Sequence, residues 1–140
     1  MKYTELSIGN LVYYNGNAIK IESITKRKVG YHTQPNENNM RFARMCEILP
    51  IPITEEILQK SGFAIKKDMG FTSYEINPYD GHVIDVTFYE SGIDVFIRYI
   101  CGRCHLRSIK YLHELQNIVS AITNQQLTLQ PWPPQQSNGQ

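Results

Sequence analysis

The stretch from His82 to Ile100 constrains the fold more than any other part of this chain. Ile84, Val86 and Phe88 alternate with Asp85, Thr87 and Tyr89. Beyond Ser91-Gly92, Ile93, Val95, Ile97 and Tyr99 alternate with Asp94, Phe96 and Arg98. A period of two marks a strand with one buried face, and two such runs around a glycine turn read as an antiparallel hairpin over 82–90 and 93–100. Slipping the register by one residue would set apolar against polar, so the loop must be even-numbered. A turn at Ser91-Gly92 then places Asp85 opposite Arg98, an opposite-charge cross-strand pair.

A helix is expected to cover this sheet. Over 109–123, Ile109, Leu112, Leu115, Val119 and Ile122 recur at spacings of three and four, which puts them on one buried stripe. Lys110, Glu114, Asn117 and Ser120 fall on the wet side. Residues 63–67 and 71–76 read as further strands around Asp68-Met69-Gly70, with a turn at 77–81. Leu127-Thr128-Leu129 reads as a short strand, and Pro131 onwards as an extended or frayed tail.

The N-terminal part is made of shorter strands. Asn15-Gly16 sits between runs at 10–14 and 17–24, and Asn-Gly is the strongest short signal for a hairpin. A two-residue loop pairs Val12 with Ile19 and Asn10 with Ile21. Runs at 28–33 and 40–49 follow, separated by the polar loop Gln34-Pro35-Asn36-Glu37-Asn38-Asn39. Pro50-Ile51-Pro52-Ile53 is extended, because each proline biases the residue before it away from helix. Thr54 is a good N-cap, Glu55 and Glu56 suit a first turn, and Gly62 suits the C-terminal cap. Ile57 and Leu58 are the apolar residues of that short helix. The expected fold class is α+β. It comprises an N-terminal small SH3-like barrel or curled sheet over 1–49. Over 50–130 follow a short linker helix, a second antiparallel sheet and one C-terminal amphipathic helix packed on it. A Pro/Gln-rich tail occupies 131–140.

Net charge over the 140 residues is +1, so no overall electrostatic argument favours nucleic acid or a membrane. The charge is uneven, however. Residues 1–49 carry seven Lys/Arg against four acids, and residues 50–100 four against eight. Within the basic part, Lys20, Lys26, Arg27, Lys28, Arg41 and Arg44, with His32, lie among Tyr13, Tyr14 and Tyr31. Cations interleaved with aromatics on a small β-structure are what single-stranded nucleic acid needs, so Lys20, Lys26, Arg27, Lys28, Tyr31, Arg41 and Arg44 are candidate nucleic-acid contacts. The alternative is a solvated turn beside core tyrosines.

Cys101-Gly102-Arg103-Cys104-His105 has the spacing of a c-type haem attachment string. Haem would need export and an apolar pocket, and no apolar run of signal-peptide length follows Met1. Zinc on Cys101, Cys104 and His105, completed by His113 or Cys46, lacks a second knuckle. The plainer reading is a turn between the last long strand and the helix, with reduced, partly buried thiols. His113 and Asn117 share a helix face, but no nucleophile accompanies them, and local hydrogen bonding accounts for the His and Gln of this helix. Neither Asp80 with Asp85 nor Glu55 with Glu56 has the setting of a carboxylate pair for acid–base chemistry. No cofactor is expected.

Three separated blocks carry a resemblance: Ile8-Gly9-Asn10-Leu11-Val12; Pro50 to Leu58 followed by Gly62-Phe63; and Ile109 to Asn117. Together they resemble a family of small uncharacterised proteins of bacterial prophage and phage genomes. The resemblance implies a mobile-element context in a bacterial cytoplasm. It brings no activity and no functional residues, and the cysteine string and the Pro-rich tail lie outside it. No stretch approaches the ~18 apolar residues of a spanning helix. The leading expectation is a non-enzymatic binding or accessory protein acting through a protein partner or self-association, without a membrane. Nucleic-acid binding through residues 20–44 is the first alternative. A metal-binding or enzymatic role for Cys101, Cys104, His105 and His113 is the second.

Overall fold

A computed structural model describes residues 1–129 apart from Met69 and Asp80. The expected tail over 131–140, and Met69 and Asp80 of the two expected turns, lie outside the described residues.

The chain is α+β. Its first half builds two three-stranded sheets, ordered β2-β1-β6 and β3-β4-β5. In the first, β1 (Leu11–Tyr14) turns through Asn15-Gly16 into β2 (Asn17–Lys20), and β6 (Ile48–Leu49) pairs with β1 on the other side. Both turn residues adopt positive φ, 49° and 76°, as a two-residue hairpin loop of the Asn-Gly kind requires. Val12 pairs with Ile19. The Ile21 amide donates to the Asn10 carbonyl at 2.9 Å, so the expected register runs one residue beyond each strand. The second sheet contains β3 (Ser23–Ile24), β4 (Lys28–Tyr31) and β5 (Arg41–Arg44). Leu6, Val12, Ile19, Ile21, Val29, Tyr31, Ala43, Met45 and Ile48 form a core shared by both sheets. Hydrogen bonding closes no barrel among these strands.

Pro50–Ile53 is more than a connector. Ile51 and Ile53 are buried, the Leu112 amide donates to the Ile51 carbonyl at 2.8 Å, and the Ile53 amide donates to the Lys110 carbonyl. The short helix α1 (Glu55–Lys60) follows. Its first turn is capped by Thr54 Oγ1, which accepts from the Ile57 amide at 3.3 Å. Gly62 at φ 89° reverses the chain behind it, a left-handed position that favours glycine. Leu58 is fully buried, and Ile57 is partly so.

The second half is a five-stranded antiparallel meander ordered β11-β10-β9-β8-β7. The strands are β7 (Ala64–Asp68), β8 (Phe71–Tyr79), β9 (His82–Tyr89), β10 (Gly92–Tyr99) and β11 (Gly102–Ile109). Helix α2 (Leu112–Thr123) packs Leu112, Leu115 and Val119 against Tyr74, Ile84, Val86 and Val95 on one sheet face.

Five expectations are corrected here. The string 101–105 is not merely a turn, because Gly102 opens β11, and Ile109 ends that strand instead of starting the helix. Seven of the eight β11 residues are exposed. An exposed edge strand has no core face and therefore no apolar alternation to betray it. The 82–100 hairpin turns one residue earlier than expected, with Tyr89 opposite Gly92; this slips the register by two, so Asp85 faces Phe96 and not Arg98. An even slip keeps every side chain on its face, so the apolar matching is unchanged. β8 runs on through the expected 77–81 turn as far as Tyr79, past an irregularity in its pairing with β9. All three cysteines are exposed and free, not partly buried. Leu127–Leu129 forms no strand; Leu127 packs in the larger core as an irregular segment.

Candidate functional site

Strand alternation places one set of side chains on the sheet face that α2 does not cover. Ser73, Asp85 and Thr87 come from the central strands, Glu75 lies opposite Asp85, and Phe96 lies opposite Asp85 on the other side. Lys66 joins from β7, Arg98 from β10, and Arg103 from the edge strand β11. Lys66, Phe71, Ser73, Glu75, Asp85, Thr87, Tyr89, Arg98 and Arg103 line a groove of about 450 Å³.

Asp85 organises this groove. Its side chain is only 5 % exposed, although it lies on the uncovered face. Thr87 Oγ1 donates to Oδ1 at 2.7 Å. One Arg103 nitrogen donates to Oδ2 at 3.2 Å and also reaches Thr87 Oγ1 at 3.0 Å. Arg98 Nε lies 3.6 Å from Oδ2, so the ion pair expected from direct opposition forms diagonally. Arg98 also donates to Glu75, which Lys66 approaches to 3.7 Å. The Arg103 guanidinium lies over the Phe96 ring, 3.4 Å from its centroid. Charge pairing and cation–π stacking therefore fix both arginines in place. At one end the rings of Phe71 and Tyr89 meet edge to face, and Phe71 is largely exposed. Farther along the same face, Asp94 accepts from Ser108 and pairs with His105. The Ser108 hydrogen bond, helped by His105, holds the Asp94 carboxyl below its ordinary value.

The proposed nucleic-acid contacts divide between two places. Lys20, Tyr31 and Arg41 line a second groove of about 640 Å³ with Tyr14, Asn17 and His32. Tyr31 is buried against Tyr14, its ring centroid 5.8 Å away, and burial raises its pKa. The loop beside it is strapped by Glu37, which accepts from the Thr33 backbone at 2.9 Å and pairs with Arg41 at 3.3 Å. The Thr33 hydrogen bonds hold the Glu37 carboxyl at about 2. Lys28 and Arg44 stand on the opposite, outward face of β4 and β5, and Lys26 and Arg27 precede them in an exposed turn.

The cysteine string does not converge on one point. Cys104 pairs with Ile97 and His105 with Phe96, so these neighbours project from opposite faces of β11. His113 is buried in α2. Among the described residues no group of His, Cys, Asp or Glu is arranged to hold a metal ion. No described helix is long and apolar enough to cross a membrane.

Gln116 does not bond locally, as the sequence suggested for the His and Gln of this helix. Gln116 Oε1 accepts from the Leu11 amide at 2.9 Å, and its Nε2 donates to the Leu127 carbonyl at 3.0 Å. Asn10 Nδ2 donates to Asn117 Oδ1 at 2.9 Å. Three separated segments thus meet in one seam, with Gly9, Asn10 and Leu11 against α2 and Ile51–Ile53 against its start. His113 lies in the same helix, stacked on Tyr111 at 5.9 Å, and its Nδ1 has no hydrogen-bond partner among the described residues. Burial pushes its pKa down, more strongly than Glu114 and Glu5 raise it; Arg107 and the N-terminus lower it further. A depressed folded-state value means the native state resists protonation. Its contribution to stability is therefore complete above the unfolded value near 6.5 and is lost as pH falls through the lower folded value. Urea midpoints are expected to fall on going from about pH 7.5 to about pH 5.5, a window above most carboxylate titration. His113→Gln is expected to flatten that slope; an unchanged slope would assign the effect elsewhere.

Compared with protein-family models, curated proteins and solved structures, the chain matches none.

Proposed function

We propose that this chain is a non-enzymatic binding protein that recognises a protein partner through the uncovered face of its five-stranded sheet. The observation that carries this reading is the Asp85 cluster. A carboxylate is held almost out of water to fix two arginines beside Phe71, Tyr89 and Phe96. Burying charge gives little net stability, so such a cluster is better understood as a recognition surface than as a stabilising element. Arginine and aromatic side chains are also the types enriched at the energetic centres of protein interfaces. Asp85 spends its acceptor capacity on Thr87 and the arginines, and the Thr87 hydroxyl is itself held between Asp85 and Arg103, which favours binding over catalysis.

The family resemblance adds a context for the partner, a protein of a phage or of its bacterial host. The two small N-terminal sheets around one core are best understood as an SH3-like arrangement opened between its sheets, with the role of a second module.

The test removes the apolar end of the groove. Phe71→Ser with Tyr89→Ser is expected to lower the thermal unfolding midpoint only modestly, because Phe71 is 60 % exposed and Tyr89 is half-buried. Capture of a host or phage protein on immobilised wild-type chain is expected to drop at least about tenfold with the double variant, the size of a lost interface anchor. Sedimentation of the isolated chain separates self-association from binding of another protein. A partner held equally well by the double variant would place the interface elsewhere.

A further inference from the structure

The outward face of the β4–β5 pair combines three features that the protein-binding reading does not use. First, Lys28 stands directly opposite Arg44. Like charges in that position repel and destabilise a sheet. Second, the side chains of these cations are unpaired among the described residues; Glu47 accepts only from the Arg44 backbone amide, at 3.3 Å. Arg41, Arg98, Arg103 and Arg107 each pair with a carboxylate. Among the described residues, Lys26, Arg27, Lys28 and Arg44 form no ion pair. Third, an aromatic ring stands beside them on the same face. Phe42 pairs with Gly30 in the same register, so it projects from the same face as Lys28 and Arg44. It is 52 % exposed, and Lys28 Nζ lies 4.2 Å from its ring centroid. Ser23 and Met40 fill the space over Gly30, where a Cβ would clash with their side chains.

We infer that this face binds single-stranded nucleic acid, with one base stacked on Phe42 and the flanking phosphates on Lys28, Arg44, Lys26 and Arg27. A sheet surface carrying an exposed aromatic among cations meets both needs of an unpaired strand, a π-face for the base and positive charge along the backbone. A phosphate between Lys28 and Arg44 converts their repulsion into two attractions. The buried Tyr31 offers no such ring, so the stacking residue is Phe42. This site lies in the N-terminal half and is independent of the Asp85 groove.

The experiment is fluorescence anisotropy of the full chain with a labelled oligodeoxythymidine of about 15 nucleotides, titrated between ~50 and ~200 mM salt. Neutralising three or four phosphates on a single strand gives a slope of log affinity on log salt of roughly −2 to −3. Phe42→Ala is expected to weaken binding by about tenfold with the salt slope unchanged, as loss of one stacked base does. Arg44→Ala is expected to make the slope shallower by about 0.7. Lys60→Ala, on α1, is expected to change nothing. All three positions are exposed, and thermal melts confirm that the variants fold. No binding at the lowest salt overturns the inference. So does a Phe42→Ala variant that binds as well as wild type, a Lys60→Ala variant that loses as much as Arg44→Ala, or a duplex of the same length bound more tightly. Preferential binding to anionic vesicles over the oligonucleotide would overturn it too.

Discussion

Gln116→Leu is expected to destabilise the protein by about 3 kcal/mol, chiefly through two backbone groups left without partners. Gln116 is 1 % exposed. Its side chain spans the gap between the N-terminal hairpin and the segment after α2, accepting from the Leu11 amide and donating to the Leu127 carbonyl. Leucine matches the volume and supplies neither function. Each buried backbone group left unsatisfied costs about 1–3 kcal/mol, and the gain from a more apolar side chain offsets only part of that. Asn117→Ala, which breaks the bonds to Asn10 and to the Glu5 carbonyl in a wetter setting, is expected to cost about 1 kcal/mol. Urea unfolding with an unchanged m-value measures both. A loss below about 1 kcal/mol for Gln116→Leu would mean that water replaces the amide, and that the seam is looser than its hydrogen bonds imply.

The same residue shows what a sequence reveals and what it hides. The periodicity of α2 identified Leu112, Leu115 and Val119 as buried. It gave Gln116 only local hydrogen bonding, because a pattern that sorts side chains by polarity has no place for a glutamine in the core. Only the arrival of β1 from over a hundred positions away makes that glutamine a core residue. The Asn15-Gly16 hairpin was legible to the residue, since its turn chemistry is local. So was the Thr54–Gly62 helix, whose two ends are both marked by capping residues. β11 was not legible, because an edge strand exposed along its length carries no alternation. The charge cluster was half legible. Asp85 and Arg98 drew notice as a cross-strand pair, but Arg103 belongs to the unread strand, and Glu75 joins only through the pairing of β8 with β9. In the N-terminal half, the cations were legible from composition, but the burial of Tyr31 and the exposure of Phe42 were not. Alternation from Val29 and Ala43 inward places Tyr31 in the core and Phe42 in solvent. That parity was available in the sequence once the β4–β5 register was known.

Asp85→Ala tests whether the charge cluster is built for stability or for recognition. Removing one member of a fully buried ion pair costs about 3–5 kcal/mol, because the other charge is stranded. The stranded groups here are not fully buried; the Arg98 and Arg103 side chains are 30 % and 39 % exposed. Both can swing toward water, and Arg98 keeps Glu75. The expected loss of stability is therefore smaller, about 2 kcal/mol. A double-mutant cycle of Asp85→Ala with Arg103→Ala is expected to give a coupling of about 1–2 kcal/mol, since the two share one hydrogen-bond network. The effect on partner capture is expected to exceed the effect on folding. With Asp85 gone, Arg103 retains only Thr87 and its stacking on Phe96, and each must then be ordered again by the partner on binding, at a cost of about 0.5–1.5 kcal/mol per side chain. Asp85→Ala is thus expected to bind partner at least about fivefold more weakly under conditions where it remains folded. If binding is unchanged while stability falls, the cluster serves the fold alone, and the recognition surface must be sought on the exposed Phe71–Tyr89 end without it.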